Sequence, residues 1–151
     1  MAPLTLGTVH HIRLTVTDLE RSKAFYTEVL GFEVAVDAPP PVEDEHHEAI
    51  ADSLQGGVVL MHQGMFFGLR PVDEERARSG DRFDPFRVGL DHFSFTVPTR
   101  ADLDRAVEFL EERGVPHGPI RELVPFGLSF LAFFDPDGIA LELTAPMADT
   151  G

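Results

Sequence analysis

His11 and His92 open two copies of one short pattern, His11-Ile-Arg-Leu-Thr-Val16 and His92-Phe-Ser-Phe-Thr-Val97. Imidazole binds divalent metals or carries protons near neutral pH. The chain has seven histidines, 26 acidic residues and no cysteine, so a metal site here must use nitrogen and oxygen donors. The absence of thiols also excludes disulfides, thiolate zinc sites, iron–sulfur clusters and a cysteine nucleophile. Side chains alternate across a strand, which puts His11, Arg13 and Thr15 on one face and Ile12, Leu14 and Val16 on the other. His92, Ser94 and Thr96 share a face in the second copy. In the run Ile139–Thr144, Glu142 lies opposite Ile139, Leu141 and Leu143. Two imidazoles and one carboxylate on three neighbouring strands can supply the facial triad that holds Fe(II) and similar ions with positions left open for substrate or oxygen. The same alternation also suits a solvent-facing sheet surface of ordinary polar residues.

A duplicated unit positions these residues. After each strand come matching segments, Asp18-Leu-Glu-Arg21 with Phe25 and Asp102-Leu-Asp-Arg105 with Phe109, closed by Gly31 and Gly114. Apolar residues recur at three and four positions through both segments, which predicts helices capped by Thr17 or Asp18 and by Thr99 or Asp102. Strand character follows at 32–37, 57–62 and 65–70, and again at 115–122, 128–134 and 139–144, with Asp135-Pro-Asp-Gly138 as a turn. Each half therefore reads β-α-β-β-β. The expected modules span residues 5–71 and 88–146, joined by a charged linker at 72–87. Residues 38–56 read as an acidic loop begun by prolines.

The formal charge is −14, from 12 basic and 26 acidic residues. Duplex nucleic acid and anionic lipid favour the opposite sign, so neither is an expected partner. No apolar run reaches the length of a membrane span, and a small-molecule protein of the cytoplasm is expected. Thirteen Phe and no Trp imply an aromatic interior, with Phe66, Phe126 and Phe130 as candidates to line an apolar cavity.

The opening from His11 through Ser22, Phe25-Tyr26 and Gly31-Phe32 resembles the vicinal oxygen chelate superfamily. Gly89-Leu-Asp-His92 through Val97 and the hairpin Phe134–Leu143 resemble its second module. The superfamily includes glyoxalase I, extradiol dioxygenases, fosfomycin-resistance transferases and bleomycin-binding proteins. The resemblance implies an α+β fold in which two tandem βαβββ modules form a cupped mixed sheet with helices on its outer face. It implies metal ligands at His11, His92 and Glu142, and Fe2+, Mn2+, Ni2+ or Zn2+ as the ion. Glyoxalase I carries a fourth, carboxylate ligand where this chain has Gly68, so the likeness runs toward three-ligand members. Extradiol dioxygenases add a histidine and a tyrosine for proton handling; here the candidates are His62 and His117, since Tyr26 sits on a core-facing helix. Arg13 and Arg70 are candidates to attract an anionic substrate group, with ion pairing to nearby carboxylates as the alternative for Arg13. His10 falls by register on the face of Ile12. The resemblance further implies a homodimer, with a site completed across subunits as one arrangement. A metal-free protein that sequesters a cationic ligand is the competing expectation.

Overall fold

The computed structural model describes residues 4–147. Contacts divide the chain into two units at Asp81/Arg82, inside the charged linker.

In the first unit, β1 (His11–Val16) leads into α1 (Leu19–Ala24), which continues as a π-helical turn over Phe25–Val29. Asp18 caps it by accepting from the Arg21 amide at 3.0 Å, and the chain leaves through Gly31 at φ +72°, a left-handed conformation suited to glycine. β2 (Glu33–Val36), α2 (His47–Leu54), β3 (Val58–His62), β4 (Met65–Pro71) and α3 (Glu74–Arg78) follow. The sheet order is β1-β4-β3-β2, with β1 parallel to β4 and the other pairs antiparallel. The parallel pair is what the intervening helix crossover permits.

The second unit repeats the plan with β5 (Phe93–Thr96), α4 (Arg100–Glu112), β6 (Arg121–Leu123), β7 (Leu128–Phe134) and β8 (Ala140–Pro146). Its order, β5-β8-β7-β6, has the same parallel and antiparallel pairs. The architecture is therefore α+β, with two four-stranded mixed sheets.

In each unit one sheet face is buried under the helix that follows the first strand. In the first, Leu14, Val16, Leu60, Phe67 and Leu69 pack with Phe25 and Tyr26; the Tyr26 and Phe67 rings are 5.0 Å apart. In the second, Leu131, Phe133 and Leu141 pack with Leu103 and Leu110 of α4. The opposite faces carry the polar alternators.

Two segments differ from expectation. Residues 38–56 are not an irregular loop throughout, because α2 occupies part of them. Its C-cap is Gln55 in the left-handed region (φ 50°), so no glycine marks the stop at that position. The expected strand over 115–122 shrinks to Arg121–Leu123 and one bridge between His117 and Phe133. Pro116 and Pro119 lack the amide protons that a continuous ladder needs. No described helix is long and apolar enough to cross a membrane.

Candidate metal centre and adjoining cavity

In the second unit, His92 stands immediately before β5 and Glu142 lies in β8, paired in register with Ser94. The antiparallel neighbour of Glu142 on the other side is Ala132. Small residues on both flanks leave space for the carboxylate, whose side chain is 18% exposed. A partly buried carboxylate is costly without partners. Thr144 supplies one, donating from Oγ1 to Glu142 Oε1 at 3.1 Å, and the Ser94 hydroxyl meets Thr144 Oγ1 at 2.6 Å. His92 Nε2 faces Glu142 Oε2 at 3.7 Å, too long for a hydrogen bond. On its other side, His92 Nδ1 lies 2.5 Å from Asp91 Oδ1.

The donor pair suits a divalent ion. Imidazole nitrogen and carboxylate oxygen bind such ions at about 2.1 Å each, so two donors on one ion lie within about 4.2 Å of each other. The separation of 3.7 Å falls inside that limit. Among the described residues, no group of three or more His, Asp or Glu forms a ready cation site. Within the second unit the structure brings together His92 and Glu142; His11 belongs to the first.

In the first unit, His11, Arg13 and Thr15 pair with Phe66, Gly68 and Arg70. Compared with the Ser94–Glu142 pairing, this register makes Gly68 the counterpart of Glu142 and Arg70 that of Thr144. Arg13 explains the glycine. A Cβ on Gly68 would stand 2.9 Å from Arg13 Cγ, because the arginine stem lies across that position. The guanidinium reaches α2 and donates from Nη2 to the Leu54 carbonyl. Arg70 donates to Gln55 Oε1 at 2.6 Å and to Thr15 Oγ1 at 3.3 Å. Cationic side chains at a helix C-terminus satisfy its last carbonyls and oppose the negative end of its dipole. Both arginines thus hold the C-terminal end of α2, the partner of Arg13 being a backbone carbonyl and not a carboxylate, while Arg13 also lines the cavity beside His11.

Between α2 and the open sheet face lies a cavity of about 210 Å³, lined by His10, His11, Ser53, Leu54, Val59 and Phe66 among others. His10 departs from its expected register. It precedes the first residue of β1, so strand alternation does not reach it. Its ring turns to His11, with the two Nδ1 atoms 2.9 Å apart, and lies 5.8 Å from Phe66. In the sequence repeat, His10-His11 and Asp91-His92 occupy equivalent places.

The two acid–base candidates lie on the helix-covered faces. His62 stacks on Phe32, ring centroids 5.0 Å apart and 15° from parallel, on the face of Val58 and Leu60. His117 is opposite the buried Phe133, with Nδ1 2.8 Å from the Gly118 carbonyl and Nε2 3.6 Å from Glu111 of α4. Neither shares a sheet face with His11 or Glu142. Phe66 lines the cavity, whereas Phe126 stands exposed on a 3-10 turn.

Paired βαβββ modules with polar residues gathered on the faces away from their helices define a class of small-molecule and metal-binding folds. Residues 8–143 match the Glyoxalase/Bleomycin resistance protein/Dioxygenase superfamily, and the chain belongs to it. It is 36% identical over 140 residues to the uncharacterised protein YwkD of Bacillus subtilis, an alignment covering 93% of this chain and 98% of that one. It is also similar to the crystal structure of a glyoxylase/bleomycin resistance protein/dioxygenase domain from Frankia sp. EAN1pec. There the identity is 32%, the TM-score 0.72 and the coverage 96% of each chain. The fosfomycin resistance protein FosX of Listeria monocytogenes shares the fold at 19% identity and TM-score 0.67, covering 96% of this chain and 98% of that one.

Proposed function

We propose that this protein is a metal-dependent enzyme acting on a small organic molecule with two adjacent oxygens, using His11, His92 and Glu142 as ligands. The carrying observation is the His92–Glu142 pair: two donor atoms 3.7 Å apart, neither bonded to the other, each tethered from behind by a neighbour. A bound divalent ion (Fe2+, Mn2+, Ni2+ or Zn2+) would supply Lewis-acid polarisation of the substrate oxygens. The chain's own residues do the rest. Ser94 and Thr144 orient Glu142, while Phe66, Val59 and Leu54 offer apolar contact to the carbon part of a substrate beside His11. An engineered cavity of about 150 Å³ accommodates benzene, so one of about 210 Å³ suits a single ring or a short chain beside His11. His11 enters the ligand set through its place in the repeat and through the family.

Gly68 in place of a fourth carboxylate supports a dioxygenase-like or transferase-like reaction over that of glyoxalase I. We take the working form to be a cytoplasmic homodimer. Metal analysis of tag-free protein supplemented with each ion tests the ligand set. About one ion per chain, lost in His92→Ala and Glu142→Ala, is the expected result; full metal content in the double variant refutes it. Catechols, epoxides and methylglyoxal–thiol adducts, screened with each ion, then discriminate the reactions. The net charge of −14 favours a second reading, metal-free sequestration of a cationic ligand in the bleomycin-resistance manner. Tight binding of such a ligand by protein that takes up no metal would establish it.

A further inference from the structure

His92 has two ring nitrogens, and only an unprotonated one can bind a metal. The residue before it decides which. Asp91 Oδ1 lies 2.5 Å from His92 Nδ1. An ionised carboxylate has no proton to give, so Nδ1 must be the donor. In the neutral ring the lone pair then resides on Nε2, the atom 3.7 Å from Glu142 Oε2. The first module places another group at the same point. His10 Nδ1 lies 2.9 Å from His11 Nδ1, and two neutral imidazoles can share that bond with either ring donating. His10 leaves the tautomer of His11 open, whereas Asp91 does not leave that of His92 open.

We propose that Asp91 is a positioning residue that holds His92 in the Nδ1–H tautomer with Nε2 aimed at Glu142. This rests on the ligand role proposed above for His92, although the tautomer itself requires no metal. Conformational stability is a poor reason for the contact. The side chains of Asp91 and His92 are 75% and 46% exposed, and exposed ion pairs contribute little to folding. Its effect lies in orientation: a histidine ligand whose far nitrogen donates to a carboxylate has a fixed ring and a more basic donor atom.

Long-range proton–nitrogen correlation spectra of metal-free, 15N-labelled protein read the tautomer directly. They are recorded at a pH at which the 15N shifts themselves show the His92 ring to be neutral. His92 is assigned by its loss in His92→Gln. The wild-type protein should show His92 as Nδ1–H. Asp91→Ala should shift it toward Nε2–H without changing the unfolding midpoint, and should weaken Co(II) binding by about 10- to 100-fold. Wild-type His92 found as Nε2–H overturns the proposal, and this readout needs no variant to fold. An unchanged tautomer in Asp91→Ala overturns it as well, as does Co(II) affinity within twofold of wild type. Wild-type protein that binds no Co(II) refutes the proposed ligand set, while the metal-free spectra still decide what Asp91 does to His92.

Discussion

Replacing Gly68 by alanine should reverse an ordinary rule. Gly68 is not among the positive-φ glycines, and alanine at a compatible strand position stabilises a protein by about 0.4–1 kcal/mol through the unfolded state. Here the new Cβ would lie 2.9 Å from Arg13 Cγ and 3.4 Å from its Cβ and Cδ. The stem is held at both ends, by strand pairing at one and by the Leu54 carbonyl at the other. Shifting it breaks the guanidinium's hydrogen bond. Bonds to charged groups contribute about 1.5–3 kcal/mol, and the half-open setting argues for the low end. Against a gain of about 0.5 kcal/mol, Gly68→Ala should destabilise by about 1 kcal/mol and lower the melting midpoint by about 3 °C. In an Arg13→Ala background the 2.9 Å contact with Cγ is gone and only the ordinary contact with Cβ at 3.4 Å is left, so the same change should stabilise. A double-mutant cycle by urea unfolding should give a coupling of about 1–2 kcal/mol. Additivity within about 0.3 kcal/mol would show that Arg13 is not why position 68 is glycine.

Thr144→Val keeps the strand shape but removes the hydroxyl that orients Glu142, so Co(II) affinity should fall by about tenfold in calorimetric titration with little change in melting. His62→Phe preserves the stack on Phe32 and should leave metal binding and turnover unchanged; loss of either refutes its placement on the helix side. Thr99→Ala removes the α4 cap and should cost about 1 kcal/mol in thermal unfolding. Its Asp102 partner adds a pH signature, because the Thr99 hydroxyl foremost, with smaller help from the Thr99 amide and Arg105, holds the Asp102 carboxyl below its ordinary 3.8 despite an opposing desolvation effect second only to that hydroxyl. A carboxyl lowered in the folded state supports folding above its unfolded pKa and loses that support as pH falls through the folded value. The gap between wild type and Thr99→Ala should therefore narrow below about pH 4 in acid titrations followed by circular dichroism.

Much of the layout was legible in local pattern. Alternation from His11 to Val16 separates buried Leu14 and Val16 from exposed His11, Arg13 and Thr15, and β7 alternates in the same way. Asp135 marks the final turn because its carboxylate accepts from the amides of Asp137 and Ile139, a bond internal to five residues. The illegible parts depend on distant partners. α2 is held at its end by Arg13, 41 residues away in sequence, and by Arg70, partners that its own short sequence does not reveal. The position of His10 is not legible from strand alternation, because β1 begins one residue after it. Strand alternation puts Arg13 on the face of His11, but nothing in the sequence near Arg13 or Arg70 shows that Leu54 and Gln55 at the end of α2 are their hydrogen-bond partners.

The two modules share a register and differ in what fills it, which bears on ligand number. Where the second module pairs Ser94 with Glu142 and Thr96 with Thr144, the first pairs Arg13 with Gly68 and Thr15 with Arg70. A glutamate needs short neighbours and a hydroxyl donor; an arginine stem lying across the sheet needs no side chain beneath it. Each pair is self-consistent and the mixed pairs are not. Glu at 68 beside Arg13 would meet the same obstruction that alanine meets, and Ser at 13 beside Gly68 would release α2 without supplying a ligand. In this chain the first module has the anchor and no carboxylate at position 68, while the His92–Glu142 pair, the proposed donors, lies in the second.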